Sequence, residues 1–284
     1  RFRAALCRLG CADDRLLCAV SGGPDSLALL LLAQHALPGK LVAVTVDHQL
    51  RPESADEAQI VAEICCNFGI PHVILTPDEK ISGNLQSSAR TARYTLLERA
   101  ADTQNCKHIA TAHHADDQLE TLLMRLTRGS GVDGLSSIRA RNGRVIRPVL
   151  EFTKAELAEI CSIAGIQAVD DPSNADQRFT RNRIRATLLP AWEKGFPGFR
   201  EAFARTASHA AQGQRLLDEL AAIDLAQTGE PPAIDALRAL GRDRQANALR
   251  RWLRRREGVT ASTAQLAELL DQIDACRTRG HRIH

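Results

Sequence analysis

Nowhere in the 284 residues does an apolar run reach the roughly 18 residues of a membrane-spanning helix, so no membrane partner is expected. The opening stretch "RFRAALCRLGCADDR" carries carboxylates where a secretory leader would have its apolar core. The eight cysteines form no regular framework, and several sit inside apolar runs, where a reduced thiol behaves as a small hydrophobe. Both features predict a reducing, cytoplasmic setting. No two cysteines have C-x-x-C spacing, which argues against zinc and iron–sulfur centres. There is no G-K-[ST] and no G-x-G-x-x-G, so neither a Walker loop nor a dinucleotide fingerprint is available. Internal repeats and low-complexity tracts are absent too.

What remains is an ordinary globular composition, 44% hydrophobic, with a net charge of +3. That charge is unevenly spread. Up to Gln177 there are 18 Lys and Arg against 22 Asp and Glu; from Arg178 onward there are 19 against 12. A basic C-terminal part suits a polyanionic partner, although arginines on solvated helix faces give the same count.

Short apolar runs alternate with helical patterns through the first half. "RLLCAV", "LVAVTV" (41–46), "HVIL" (72–75) and "HIATA" (108–112) read as strands, separated by helical segments of which the first spans about 25–36. This rhythm predicts βαβ units and a parallel sheet. "RVIRPVL" reads as a last strand, "RGSGVDGL" as a loop, and "TKAELAEICSIAG" as a helix with a Thr153–Glu156 capping box. From about Arg181 the pattern is helical to the end. The expected architecture is therefore an α/β domain over residues 1–189 followed by a smaller all-α domain over 190–284.

The first strand runs into "SGGPDS" (21–26) and out into a leucine-rich helix. Glycines let the backbone close on an anion, the helix N-terminus favours negative charge, and Pro24 suits a first helical position. Ser21, Gly22, Gly23, Pro24, Asp25 and Ser26 are thus candidate phosphate-binding residues. Asp25 would repel phosphates unless a divalent cation stood between them; Mg²⁺ joins carboxylates to phosphates in this way, so Asp25 is the candidate metal ligand.

At the end of a first strand, this string resembles the pyrophosphate loop of the N-type ATP pyrophosphatases, the PP-loop superfamily. Further segments narrow the likeness. "VDHQLRPESADEA", "ARTARY", "TAHHADDQLETLLMRLTRGSGVDGL", "RPVLEFTKAEL" and "DPSNADQRFTRNRIRATLLP" occur in that order, and together they are similar to the tRNA(Ile)-lysidine synthetase family from about Leu16 to Pro190. The resemblance implies two steps on the wobble cytidine of the isoleucine tRNA with a CAU anticodon. ATP adenylates O2 of the base and releases diphosphate; the ε-amine of free lysine then attacks C2 and expels AMP. The family usually carries a further domain after such a helical region, so a longer protein is implied.

The resemblance gives several residues expected roles. Asp116, Asp117 and Glu120 stand at i, i+1 and i+4 on one helix, where a carboxylate cluster could hold the lysine ammonium or a metal; acids at a helix N-terminus are also favoured for stability alone. Asp117 and Glu120 are the catalytic and substrate-binding candidates. Arg128, Arg181 and Arg185 suit a transferring phosphoryl group, tRNA phosphates, or simple solvation, with Arg181 the catalytic candidate and Arg128 and Arg185 the substrate-binding ones. His48, with Arg51, follows the second strand, a usual place for nucleotide contacts in this superfamily. His113 and His114 could meet phosphate or base, or merely cap the sheet. "RRWLRRR" (250–256) reads as a phosphate-contacting face or as side chains snorkelling over Trp252. Phe179, Trp192, Phe196 and Phe199 are possible stacking partners for RNA bases, or core. Competing readings are a 2-thiocytidine synthetase, for which paired cysteines are wanting, an amidotransferase-type relative, for which no glutaminase segment is seen, and a non-catalytic sensor of ATP and RNA.

Overall fold

Strand β1 (Leu16–Ala19) is apolar at every position because both faces of the sheet are covered: Leu16 and Cys18 face one core, Leu17 the other. The computed structural model describes residues 1–49, 54–77, 85–169 and 178–276. Around β1 lie β2 (Leu41–Val46), β3 (His72–Leu75), β4 (His108–Ala110), β5 (Arg141–Asn142) and β6 (Val145–Ile146), in the order β3-β2-β1-β4-β6-β5. All neighbours are parallel except the short β5–β6 pair, which is antiparallel. The expected parallel sheet is present, and β5 and the N-terminal helix α1 (Phe2–Arg8) are additions the periodicity did not show.

The β1 register fixes the geometry of the site. Leu16 stands opposite both Leu41 and His108, so the strands end nearly level and their following loops share one edge. Strand order reverses between β1 and β4, which opens a crevice at that edge. Helices α2 (Pro24–Ala36), α3 (Ser54–Asn67) and α7 (Lys154–Ile163) contribute Leu27, Leu30, Val61 and Leu157 to the first core. On the other face α4 (Leu85–Thr103) lays Leu97, Ala100 and Ala101 against Leu17, Val42 and Ile109. Helix α2 buries leucines all around and starts with Pro24 at its first turn, as its sequence predicts. The Thr153–Glu156 capping box opens α7.

Helix α5 (Ala115–Leu126) follows β4. The glycine-rich stretch after it, expected as loop, contains the four-residue helix α6 (Val132–Leu135). Then come α8 (Thr180–Arg183), a π-helical stretch (Ile184–Leu188) and α9 (Leu189–Gly195). The chain forms two compact units: Arg1–Ser130 with Ser137–Arg205, and Gly131–Ser136 with Thr206–His284. Residues beyond Leu189 stay with the first unit because Trp192, Phe199 and Phe203 pack on Leu119, Leu123, Ile184 and Leu189. Phe199 is therefore core, whereas Phe196 and Phe179 are exposed.

The second unit holds most of α10 (Phe199–Thr228), with α11 (Ile234–Arg238), α12 (Arg242–Glu257) and α13 (Thr263–Ala275). Leu237, Leu249, Leu266, Leu270 and Ile273 form its core. Trp252 is buried against Leu225 and Ala248, with the Arg256 guanidinium over its ring at 5.6 Å. The apolar pair inside "RRWLRRR" is thus packed. The fully buried Asp224 is neutralised by Arg244. Among the described residues no helix is long and apolar enough to cross a membrane, and all eight cysteines are free.

Candidate active site

The loop between β1 and α2 is shaped by its own hydrogen bonds. Ser26 Oγ accepts from the Ser21 amide at 3.1 Å and donates to the Gly23 carbonyl at 2.9 Å. The Ser26 hydroxyl, buried, is spent inside the loop, while Ser21 is exposed. Gly22 has φ of +82°, and a Cβ there would stand 3.2 Å from Val169 Cγ2 and 3.4 Å from Val61 Cγ2. Its carbonyl accepts from the Val169 amide at 3.0 Å, so a second segment braces the bend. Glycine is required at this position by both backbone and space. Pro24 opens α2, and its carbonyl accepts from the Cys161 thiol at 3.3 Å.

Asp25, in the first turn of α2, points at α5. Its Oδ2 lies 3.4 Å from His114 Nε2, and its Oδ1 is buried with no hydrogen-bond partner in the protein. His114, 1% exposed, is the N-cap of α5: its Nδ1 accepts from the Asp117 amide at 3.4 Å, and Asp117 Oδ2 accepts from the His114 amide at 3.2 Å. With Nδ1 accepting, the proton of the neutral ring sits on Nε2, facing Asp25 and, at 3.5 Å, Asp117 Oδ2. Burial opposes charging of this imidazole. The hydrogen bond to Asp25 and the charges of Asp117, Asp25 and Asp116 together outweigh it and raise the pKa.

The second layer is a carboxylate–guanidinium cluster. Glu120 is fully buried; Arg185 bonds both its oxygens, with Nη2 at 3.1 Å from Oε2, and Arg181 Nε stands 3.2 Å from Oε2. Burial pushes the Glu120 carboxyl up, with Asp117 adding to the push, against the pull of Arg185 and Arg181. Asp117 Oδ1 lies 3.5 Å from Arg185 and 3.9 Å from Arg181, too far for a direct hydrogen bond. The two acids therefore differ: Glu120 is saturated and Asp117 keeps an oxygen to offer. Asp116 is engaged elsewhere, accepting from the Lys154 amide at 2.8 Å and pairing with Arg200. Burial works against its charge, but that amide and Arg200 hold its pKa below the usual carboxylate range.

Of the expected residues, the structure brings together Asp25, Asp117, Glu120, Arg181 and Arg185. Arg128 does not join them: it is exposed beyond the far end of α5, about 14 Å of helix rise from Asp117. His48 stands at the end of β2 beside Arg93 with its Nδ1 buried and unpaired, and burial together with Arg93 lowers its pKa. Arg51 lies outside the described residues. No cluster of three or more metal-ligating side chains exists among the described residues. A closed protein cage for a cation is thus wanting, but the unpaired Asp25 Oδ1 fits an ion held by one carboxylate and by phosphates.

Over residues 4–192 the chain matches the PP-loop domain family, and over 233–284 the TilS substrate binding domain. It is 47% identical over 272 residues to the tRNA(Ile)-lysidine synthase of Polaromonas naphthalenivorans, covering 94% of this chain and 83% of that protein. The chain belongs to the tRNA(Ile)-lysidine synthase family. The family member from Zymomonas mobilis is 39% identical over 95% of this chain and 84% of its own length. For the Burkholderia pseudomallei member the figures are 38%, 93% and 57%. Among solved structures, the U34-tRNA thiolase NcsA from Methanococcus maripaludis matches with a TM-score of 0.61 at 18% identity, over 73% of this chain and 77% of that one. That likeness shows the PP-loop fold.

Two links had no readable signal, although His114 itself was a candidate. His114 caps a helix, a place where Ser, Thr, Asp or Asn is the usual cue, so its link to Asp25 was invisible. Arg200 reaches Asp116 across 84 residues, which no local pattern reports.

Proposed function

We propose that this chain joins free lysine to C2 of the wobble cytidine, position 34, of the CAU-anticodon isoleucine tRNA. ATP is split to AMP and diphosphate, through an adenylated base, in the cytoplasm where that tRNA is handled. The observation that carries this reading is the meeting of the PP-loop carboxylate Asp25 with the α5 pair His114 and Asp117. It sets a nucleotide site against an acidic site for an amine.

In the first step cytosine O2 attacks the α-phosphorus and diphosphate leaves. The amides of Gly22, Gly23 and Asp25 and the N-terminus of α2 suit the phosphates, with Ser26 holding the bend through the Ser21 amide and the Gly23 carbonyl. Mg²⁺, held by Asp25, would offset phosphate charge and favour departure of diphosphate. His114 keeps Asp25 oriented. In the second step the ε-amine attacks C2 and AMP leaves with O2. Asp117 Oδ1 is the acceptor for the incoming ammonium, and Glu120 acts by positioning Arg185 and Arg181, whose charge suits the departing AMP. The basic second part of the chain suits tRNA phosphates.

The test is to incubate the protein with labelled ATP, lysine and individual tRNAs and to follow AMP and diphosphate. Lysine-dependent AMP release with the CAU isoleucine tRNA alone is expected. Asp25→Ala should abolish turnover and leave tRNA affinity nearly intact. Release of ADP and orthophosphate would refute the reading, and ATP binding without turnover would favour a sensor.

A further inference from the structure

Asp116 sits in the first turn of α5 between His114 and Asp117, yet both its oxygens are bonded to other helices. Oδ2 accepts from the Lys154 amide at 2.8 Å, and Oδ1 takes the Arg200 guanidinium. Lys154 opens α7, and its amide is one of the donors that a helix start leaves unpaired. Thr153 caps the Glu156 amide of the same turn, so Asp116 completes that cap from a different helix, where the α7 dipole also favours its charge. Beside it the Ala115 amide donates to the Phe152 carbonyl at 2.8 Å. The start of α5 is thus pinned at two points to the start of α7.

Further along, α7 grips the glycine loop. The Cys161 thiol donates to the Pro24 carbonyl at 3.3 Å, and Leu157 and Cys161 share one core with Leu27 and Ala28 of α2. Helix α7 therefore bridges the two first turns that meet at the site, that of α2 with Asp25 and that of α5 with His114 and Asp117. Arg200 has anchors of its own. Its Nε donates to Glu193 of α9 at 3.1 Å, and its guanidinium carbon lies 5.5 Å from the ring centre of the buried Phe199. The side chains of Asp116 and Arg200 are 13% and 32% exposed, so their charge-assisted bond is partly shielded from water. Without Arg200, Asp116 is a largely buried carboxylate held by one amide, with His114 Nδ1, the atom that caps α5, only 3.7 Å away.

We propose that Asp116, braced by Arg200, is a positioning residue. It fixes the first turn of α5 on α7, and through α7 it sets the spacing between Asp25 of the glycine loop and the His114–Asp117 pair. Neither Asp116 nor Arg200 touches a substrate in this arrangement; both act through α5. A spacing that drifts by about 1 Å costs up to about 100-fold in rate when two reactants must meet in line. The proposal rests on the functional reading for the reaction that this spacing serves, and one arm of its test does not.

The full chain is compared with Arg200→Gln, Arg200→Lys, Asp116→Asn and the double variant Asp116→Asn/Arg200→Gln. Lysine-dependent AMP release gives kcat and the KM for ATP, and calorimetry gives the stoichiometry of ATP binding. In Arg200→Gln kcat should fall about tenfold or more, while the KM for ATP stays within about twofold and the stoichiometry is that of the parent. Arg200→Lys keeps the charge and should lose less. The double variant should lose no more than the worse single one, because both remove the same brace. A fall in kcat matched by an equal fall in ATP stoichiometry reports misfolded protein and overturns the proposal, as do additive losses or an unchanged kcat. Hydrogen exchange in α5 and α7, read by mass spectrometry without any substrate, is the second arm. Arg200→Gln should speed exchange in the first turns of both helices by about tenfold or more, and Arg200→Lys by less. If the parent shows no lysine-dependent AMP release, the functional reading fails and the exchange arm alone decides; unchanged exchange overturns the proposal in either case.

Discussion

Replacing Glu120 by glutamine keeps the volume of a fully buried side chain and removes the charge that holds Arg181 and Arg185. Breaking a wholly buried ion pair costs about 3–5 kcal/mol, and a charge-assisted hydrogen bond about 1.5–3 kcal/mol. Here the guanidinium side chains are 42% and 26% exposed, so water recovers part of the loss. A net cost of about 2 kcal/mol follows, which lowers the Tm of a unit of roughly 200 residues by about 4–8 °C. A functional effect accompanies it. Asp117 Oδ1, 3.5 and 3.9 Å away, becomes the carboxylate left to the two arginines, and they then compete with the lysine ammonium for it. The KM for lysine should rise several-fold more than the KM for ATP. Thermal denaturation followed by circular dichroism, with steady-state AMP release at varied lysine, measures both. A Tm within about 1 °C of the parent together with an unchanged lysine KM would refute the division of labour between the two acids.

Gly22→Ala combines a left-handed backbone with a Cβ 3.2 Å from Val169 Cγ2; a loss of about 2–3 kcal/mol in denaturant unfolding is expected, with weakened ATP binding, and full ATP affinity would count against the loop as the phosphate cradle. His113 titrates near 4 when folded and near 6.5 when unfolded, so the unfolded chain binds the extra proton between these values and stability falls as pH drops through that window, by up to about 3 kcal/mol. His114 has the opposite sign: its raised pKa gives a contribution complete below 6.5 that is lost as pH rises through the folded value. Urea unfolding at several pH values should show a flatter acid limb for His113→Asn, and an unaltered slope would contradict the burial argument.

The strands and the glycine turn were legible because a sheet covered on both faces demands continuous apolar runs, and a phosphate cradle demands particular small residues. Thr153 and Glu156 announced α7 through local capping chemistry. Helix α6 was read as loop because two glycines in six residues outweigh a single turn of helix in any local reckoning. The paired sites escaped for another reason. Asp25 to His114, Glu120 to Arg185 and Asp116 to Arg200 are long-range pairs, and only the folded chain brings their partners together. The acids that looked alike in the sequence differ in the fold: Asp117 keeps one oxygen without a direct hydrogen bond to the arginines, Glu120 is saturated, and Asp116 is spent on Arg200.

The hydroxyl of Ser26 has a kinetic consequence. Its three bonds, two with Ser21 and one with Gly23, lie wholly within the turn it shapes, so the conformational entropy of ordering that turn is lost when the chain folds and not again at each encounter. A nucleotide held there, as proposed, meets a turn already shaped, with less ordering left to slow its capture.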